Sequence, residues 1–255
     1  MGVINVTPDS FSDGGRFLEP AAAIDHARRL ADEGADIIDL GGESTRPGAE
    51  PVSETEELSR VLPVLEKIGD LCVSVDTRRP AVMKAVAAAG ASMINDIQAL
   101  GEPYALEVAA GTGCAVCLMH MKGEPATMQR EPRYDDVVAE VHAFLKEAVR
   151  KAAFAGIGRD RILVDPGFGF GKTAAHNLAL LRNLARFSDL GVPLMAGLSR
   201  KSTIGKLTGR PVDERLAGSL AMALLALQGG ARILRVHEVK ETRDVIAVWQ
   251  AFNES

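Results

Sequence analysis

With 255 residues the chain is long for one small domain and short for two full ones, and it matches a single eight-fold β/α barrel. Its hydrophobic fraction of 47% supplies a sizeable core, and aromatics at only 4% make that core aliphatic. A formal net charge of −5, with acidic and basic residues intermixed, forms no basic stripe and argues against nucleic-acid binding.

The first apolar run, "GVIN" at 2–5, reads as a strand that enters the polar, turn-forming stretch "NVTPDSFSDGG". That stretch has little to bury and much to offer a ligand. Pro8 ends the strand, and Gly14 and Gly15 allow a loop to swing at the mouth. The opening "MGVINVTPDS" has neither a basic region nor a cleavable apolar segment. "ADIIDLG" is the second strand and leads into "GGESTRPG". "SETEELSRVLPVLEKI" reads as a helix with a Ser53/Glu56 capping box and an apolar face of Leu58, Val61, Leu62, Leu65 and Ile68, bent or interrupted at Pro63. "CVSVD" and "SMIND" are the third and fourth strands.

"AVCLMH" is the fifth strand. Cys114 and Cys117 look like half of a zinc site, but residues three apart on a strand point to opposite faces and cannot share a metal. The segment 134–157 is an amphipathic helix with Val137, Val141, Phe144, Leu145, Ala148, Val149 and Ala152 on one stripe. "RILVDPG", "VPLMAG" and "RILRVH" complete eight strands, and Leu220, Leu224 and Leu227 mark a late helix face. The longest apolar run, "LAGSLAMALLAL", is too short to span a bilayer, so a cytoplasmic enzyme is expected. The run exceeds what barrel packing needs, which points to a homodimer through this helix and a neighbour. Eight uninterrupted units imply one (β/α)8 TIM barrel over 1–255; an open doubly wound sheet is the alternative.

In such a barrel, active-site groups lie at the C-terminal ends of the strands. The ends here deliver Asn5, Asp39, Asp76, Asn95 with Asp96, Met119 with His120, Asp165, the "SRKS" segment, and Arg235 with His237. Asp76, Asn95 and Asp165 suit a flat heterocycle rich in N–H donors, and Lys201 suits a ring carbonyl. Arg235, His237 and Asn5 suit a phosphoryl group, with Asn5 able to hold a magnesium ion on it. "PGFGFGKT" fails as a P-loop because its first glycine position holds Pro166. His26 and His142 read as surface or packing residues and His176 as a helix cap; His120 is open between packing and site lining.

"MGVINVTPDSFSDGG", "DLGGESTRPGA", "SVDTRRP", "INDIQAL", "MHMKG", "ILVDPGFGFGKT", "AGLSRKS" and "RVHEV" resemble, motif by motif and in order, the dihydropteroate synthase family. The resemblance covers essentially the whole chain. It implies condensation of 6-hydroxymethyl-7,8-dihydropterin pyrophosphate with para-aminobenzoate to give 7,8-dihydropteroate and pyrophosphate, a step of folate biosynthesis in which sulfonamides mimic the aminobenzoate. It implies Mg2+ as cofactor. It places Asp39, Asp76, Asn95, Met119, Asp165 and Lys201 at the pterin and Asn5, Thr45, Arg235 and His237 at the pyrophosphate, with Asn5 at the metal. Phe11, Arg46, Pro47, Phe170, Lys201 and Ser202 fall at the aminobenzoate, and Asp13, Lys201, Arg235 and His237 are the expected catalytic set. Family members carry a further segment before the first strand, whereas Met1 opens the strand here, and Glu238 stands where Asp is usual. The alternatives are a non-catalytic pterin-binding paralogue and a methyltetrahydrofolate corrinoid methyltransferase, which has no pyrophosphate to hold.

Overall fold

The computed structural model describes residues 1–6, 19–44, 51–125 and 127–254. Strands and helices alternate: β1 (Gly2–Asn5), α1 (Glu19–Asp32), β2 (Ile38–Gly41), α2 (Glu54–Leu65), β3 (Val73–Asp76), α3 (Pro80–Ala88), β4 (Met93–Asp96), α4 (Ala105–Thr112), β5 (Ala115–Met119), α5 (Val137–Phe154) and β6 (Ile162–Asp165). They continue with α6 (Ala174–Arg182), β7 (Met195–Ala196), α7 (Ser202–Thr208), α8 (Leu216–Gln228), β8 (Ile233–Leu234) and α9 (Val239–Glu254).

Strands β1 to β6 pair in parallel in chain order, and β7 pairs with β8. Two short bridges join these sheets: Val164 meets Leu194 beside β7, and Gly2 meets Val236 just past β8. At those seams Val164 N–H donates to Pro193 O, Val3 N–H to Val236 O and Val236 N–H to Met1 O, each at 3.0 Å. The ring is therefore closed, as a TIM barrel requires and an open doubly wound sheet does not.

Closure sorts the side chains of each strand into two sets, because successive residues face opposite ways. Met1, Met93, Cys117, Leu163 and Met195 point inward and fill the barrel interior. Ile4, Leu40, Val75, Ile94, Leu118 and Val164 point outward into the larger core beneath the helices. Cys114 lies in this outer core and Cys117 in the inner one, as strand alternation implies.

The helices depart from the expected faces in instructive ways. Ser53 caps α2 by accepting from Glu56 N–H at 3.2 Å, but the Glu56 carboxylate pairs with Arg60 instead of returning to the cap. The helix ends at Leu65, two residues after Pro63, and Val64 is buried while Leu62 is only half-buried. On α5 the inner stripe takes Val138, and Phe144 is 39% exposed. On α8 the buried face is Ser219, Met222, Ala223, Ala226 and Leu227, so Leu224 does not share the stripe with Leu227 and faces outward beside Leu225. A helix that is apolar all round carries no moment from which its inner face can be read.

Candidate active site at the mouth of the barrel

Register brings the strand-end residues together. Asn5 lies beside Gly41, Gly41 beside Asp76 and Asp76 beside Asn95, while Met119 lies beside Asp165. Asp39 sits one inward-facing position below Gly41 and is 0% exposed. Glycines at 41 and 197 keep this interior open. A Cβ on Gly41 would come 3.5 Å from Asn5 Oδ1, and one on Gly197 3.8 Å from both Asp165 Oδ2 and Arg235 Cβ.

The acceptors are held on one side only. Arg235 Nε donates to Asp39 Oδ2 at 2.7 Å, and its terminal nitrogen reaches Asp76 Oδ2 at 3.2 Å. Asn95 Nδ2 lies 3.4 Å from the same Asp39 oxygen. Among the described residues four buried side-chain oxygens have no hydrogen-bond partner, Asp39 Oδ1, Asn95 Oδ1, Ser74 Oγ and Glu57 Oε1, and the first two belong to the group that Arg235 joins. An unpaired buried acceptor is costly, so this pair marks a place for N–H donors from outside the chain.

Burial raises the Asp76 carboxyl to about 7, with Arg235 opposing and Asp39 adding to the rise. Burial also raises Asp165, opposed by Gly167 N–H, which donates to its Oδ1 at 2.7 Å, and by Lys201, Lys172 and Arg235. Lys201 lies across the mouth with its Nζ 4.2 Å from the centre of the Phe170 ring; burial and then Arg235 lower it to about 8. Neighbouring carboxylates raise the pKa of Arg235 against its desolvation, so the guanidinium stays charged.

The structure adds contacts that the strand-end pattern does not carry. Arg235 faces the mouth while also tying the carboxylates of Asp39 and Asp76 together. Asp96 faces away from the ring, and its carboxylate accepts from Gln98 N–H at 2.8 Å and Leu100 N–H at 2.9 Å, turning the chain after β4. His237 Nδ1 lies 2.9 Å from Ser199 Oγ, which also contacts Glu238 Oε2 at 3.1 Å. Asn5 and Met119 line the mouth from β1 and β5, and Ser202 is exposed at the first turn of α7. Phe11, Asp13, Thr45, Arg46 and Pro47 lie outside the described residues.

Sequence reading missed several supporting residues. Buried Glu57 on α2 pairs with Arg79, which also donates to Glu43 at 2.8 Å and to Val52 O at 2.5 Å. One guanidinium thus fastens the segments on both sides of 45–50 to the exit of β3. Lys172 is 2% exposed and bonded to His120, which places His120 in packing. The only signal in the chain was "GFGFGKT", a cation following three alternating glycines. His176 caps α6 in a capping box with Thr173, as read from the sequence.

The model for the family described as pterin binding enzyme matches residues 1–237. The chain is 53% identical over 254 residues to the dihydropteroate synthase of Escherichia coli (strain K12), covering 98% of this chain and 90% of that protein. It is similar to the Xanthomonas albilineans dihydropteroate synthase solved with 4-aminobenzoic acid, at 55% identity and TM-score 0.95, covering 100% of this chain and 93% of that one. The same enzyme in complex with 7,8-dihydropteroate gives 52% identity and TM-score 0.91 over 100% and 93% of the two chains. With a closed barrel, a one-sided set of acceptors at its mouth and relatives of this identity along its length, the chain belongs to the pterin-binding enzyme family.

Proposed function

We infer that this chain catalyses dihydropteroate synthesis: the amine of para-aminobenzoate displaces pyrophosphate from the methylene carbon of 6-hydroxymethyl-7,8-dihydropterin pyrophosphate. The observation that carries the reading is the pair of unpartnered buried acceptors, Asp39 Oδ1 and Asn95 Oδ1, on residues whose other polar atoms meet at Asp39 Oδ2, where Arg235 also donates. Asp76, Asn95 and Asp165 accept from the N–H groups of the pterin, Asp39 supports them, Lys201 donates to the ring carbonyl and Met119 packs beside them. Phe170 and the stem of Lys201 form one wall for the aminobenzoate. The test measures pyrophosphate and 7,8-dihydropteroate formed by purified protein from the pterin diphosphate and aminobenzoate. Formation of 7,8-dihydropteroate that needs both substrates is expected; pyrophosphate release with no dihydropteroate formed, or no reaction, overturns the reading.

The reaction proceeds in our reading by a dissociative route. The C–O bond to pyrophosphate breaks first, its electron pair leaves with the oxygen, and the pterin delocalises the methylene cation. Arg235, His237, Asn5 and Thr45 hold the departing anion, and Asp13 steadies the cation. The amine nitrogen then bonds to the methylene carbon and loses a proton. Asn5 supplies a single carboxamide oxygen, and no group of three or more His, Cys, Asp or Glu among the described residues could hold a metal. Asn5 would hold a magnesium ion by that oxygen, and the ion would supply positive charge to offset that of the leaving group.

Phe11, Arg46, Pro47 and Ser202 complete the aminobenzoate site after the pterin substrate has bound. Titration of aminobenzoate should therefore show tighter binding with a pterin and pyrophosphate present. Equal affinity would reject the order, and loss of the difference in Phe11→Ala would place the lid. The protein works as a homodimer in the cytoplasm. Support comes from Leu216, Leu224 and Leu225 exposed on α8 beside Val248 and Phe252 on α9, and from the lack among the described residues of a helix able to cross a membrane. Sedimentation of Leu225→Glu as a monomer would agree, and a monomeric wild type would refute the dimer.

A further inference from the structure

Lys172 stands outside the roles assigned so far. Its Nζ lies 2.9 Å from His120 Nδ1, 2.9 Å from Gly167 O, 3.0 Å from Phe170 O and 3.3 Å from His120 O. All four neighbours are acceptors, and none is a carboxylate. Burial lowers Lys172 to about 7, with Asp165 opposing, and its amine keeps N–H donors for these acceptors on either side of that value. The His120 ring then accepts at Nδ1 and is neutral, in agreement with burial and Lys172 lowering it to about 3.

The contacts cross-link two strand exits. His120 follows β5, whereas Gly167 and Phe170 follow β6. The loop after β6 is pressed against the segment that follows β5, since a Cβ on Gly171 would stand 2.2 Å from Lys122 O. Tyr134 Oη donates to Gly171 O at 2.9 Å, and Gly169 N–H donates to Asn177 Oδ1 at 2.9 Å. The loop's outward product is the Phe170 ring, placed under Lys201 Nζ. The carboxylates of β2 and β3 make no hydrogen bond to this clamp; Asp165 of β6 meets it at one point, accepting from Gly167 N–H at 2.7 Å.

We propose that Lys172 is a positioning residue that determines aminobenzoate recognition, by pinning the Phe170 loop to the exit of β5. The proposal rests on the reading of Phe170 as a wall of the aminobenzoate site. Lys172→Met keeps most of the side-chain length and removes the donors. At saturating pterin diphosphate it should raise KM for aminobenzoate about tenfold or more, whereas pterin affinity by calorimetry, reached only through the Gly167 N–H to Asp165 bond, should fall by a clearly smaller factor. A residue that only stabilises the fold would lower the melting temperature without this split. Tyr134→Phe releases the same loop more gently and should raise the same KM by about two- to fivefold; it decides the matter where Lys172→Met does not fold. Phe170→Ala separates the two readings. If it leaves the aminobenzoate KM unchanged, the wall itself is misassigned and the proposal falls with it. If it raises KM while Lys172→Met leaves KM unchanged, or weakens pterin and aminobenzoate alike, Phe170 stands and the role of Lys172 is overturned. Where Lys172→Met is unfolded, an unchanged KM in Tyr134→Phe overturns it equally.

Discussion

Gly167→Ala tests the link between backbone geometry and pterin recognition. Gly167 has φ of +68°, and a Cβ there would lie 1.9 Å from His120 O, where ordinary contact begins near 3.4 Å. The loop or the β5 exit must give way by about 1.5 Å, and the obstacle is backbone, which cannot rotate aside. The left-handed conformation alone costs about 1–2 kcal/mol for a residue with a Cβ. The displacement also takes Gly167 N–H away from Asp165 Oδ1, now at 2.7 Å. A hydrogen bond to a charged group contributes about 1.5–3 kcal/mol. A total loss of roughly 2.5–5 kcal/mol follows from these two terms. Urea unfolding reads the stability, and calorimetry with a pterin reads the site, where affinity should fall about tenfold or more because Asp165 loses its orientation. Stability within about 1 kcal/mol of the parent, together with unchanged pterin affinity, would refute the reasoning.

Asp165→Asn turns one acceptor oxygen into a donor facing the pterin N–H groups and should weaken pterin binding by about 1–3 kcal/mol, roughly five- to a hundredfold; unchanged calorimetric affinity would put the pterin elsewhere. Lys201 has its pKa lowered from 10.5 to about 8, so pterin binding should weaken as pH rises through about 8 and the donor loses its charge. Its contribution to stability runs the other way: the unfolded chain binds the extra proton between those two values, so the penalty for burying the ammonium is full below about 8 and fades as pH rises toward 10.5. Affinity that stays flat between about pH 7 and about pH 9, in wild type and Lys201→Gln alike, would exclude Lys201 as the donor. Excess chelator should abolish turnover and added magnesium restore it, whereas an undiminished rate would remove the metal from the reaction.

The eight strands and the polar residue at each strand end were legible in the chain. Parallel strands covered on both faces are short continuous apolar runs, and a barrel puts all their C-terminal ends on one rim. From that pattern alone Asp76, Asn95, Asp165 and Arg235 could be placed at one mouth. The roles attached to them also drew on a family resemblance, carried by motifs such as "DLGGESTRPG" and "VDPGFGFGK". What the chain could not show was which cation would face which carboxylate. Arg235 and Asp39 are 196 positions apart, and they meet only because the ring closes at Gly2 and Val236. Lys172 was hidden because it meets His120 only through the pairing of β5 with β6. Its neighbours include His120, 52 positions earlier, and nothing local marks a lysine whose partners are backbone carbonyls. The inner face of α8 was misread because an all-apolar helix has no polar side to exclude, so the neighbouring helices and the barrel wall selected Met222, Ala223 and Ala226 over Leu224 and Leu225. Local periodicity thus determined the elements and their order, while the partners of the buried charges were decided by closure of the barrel, which converts remote sequence positions into contacts inside a site shielded from water.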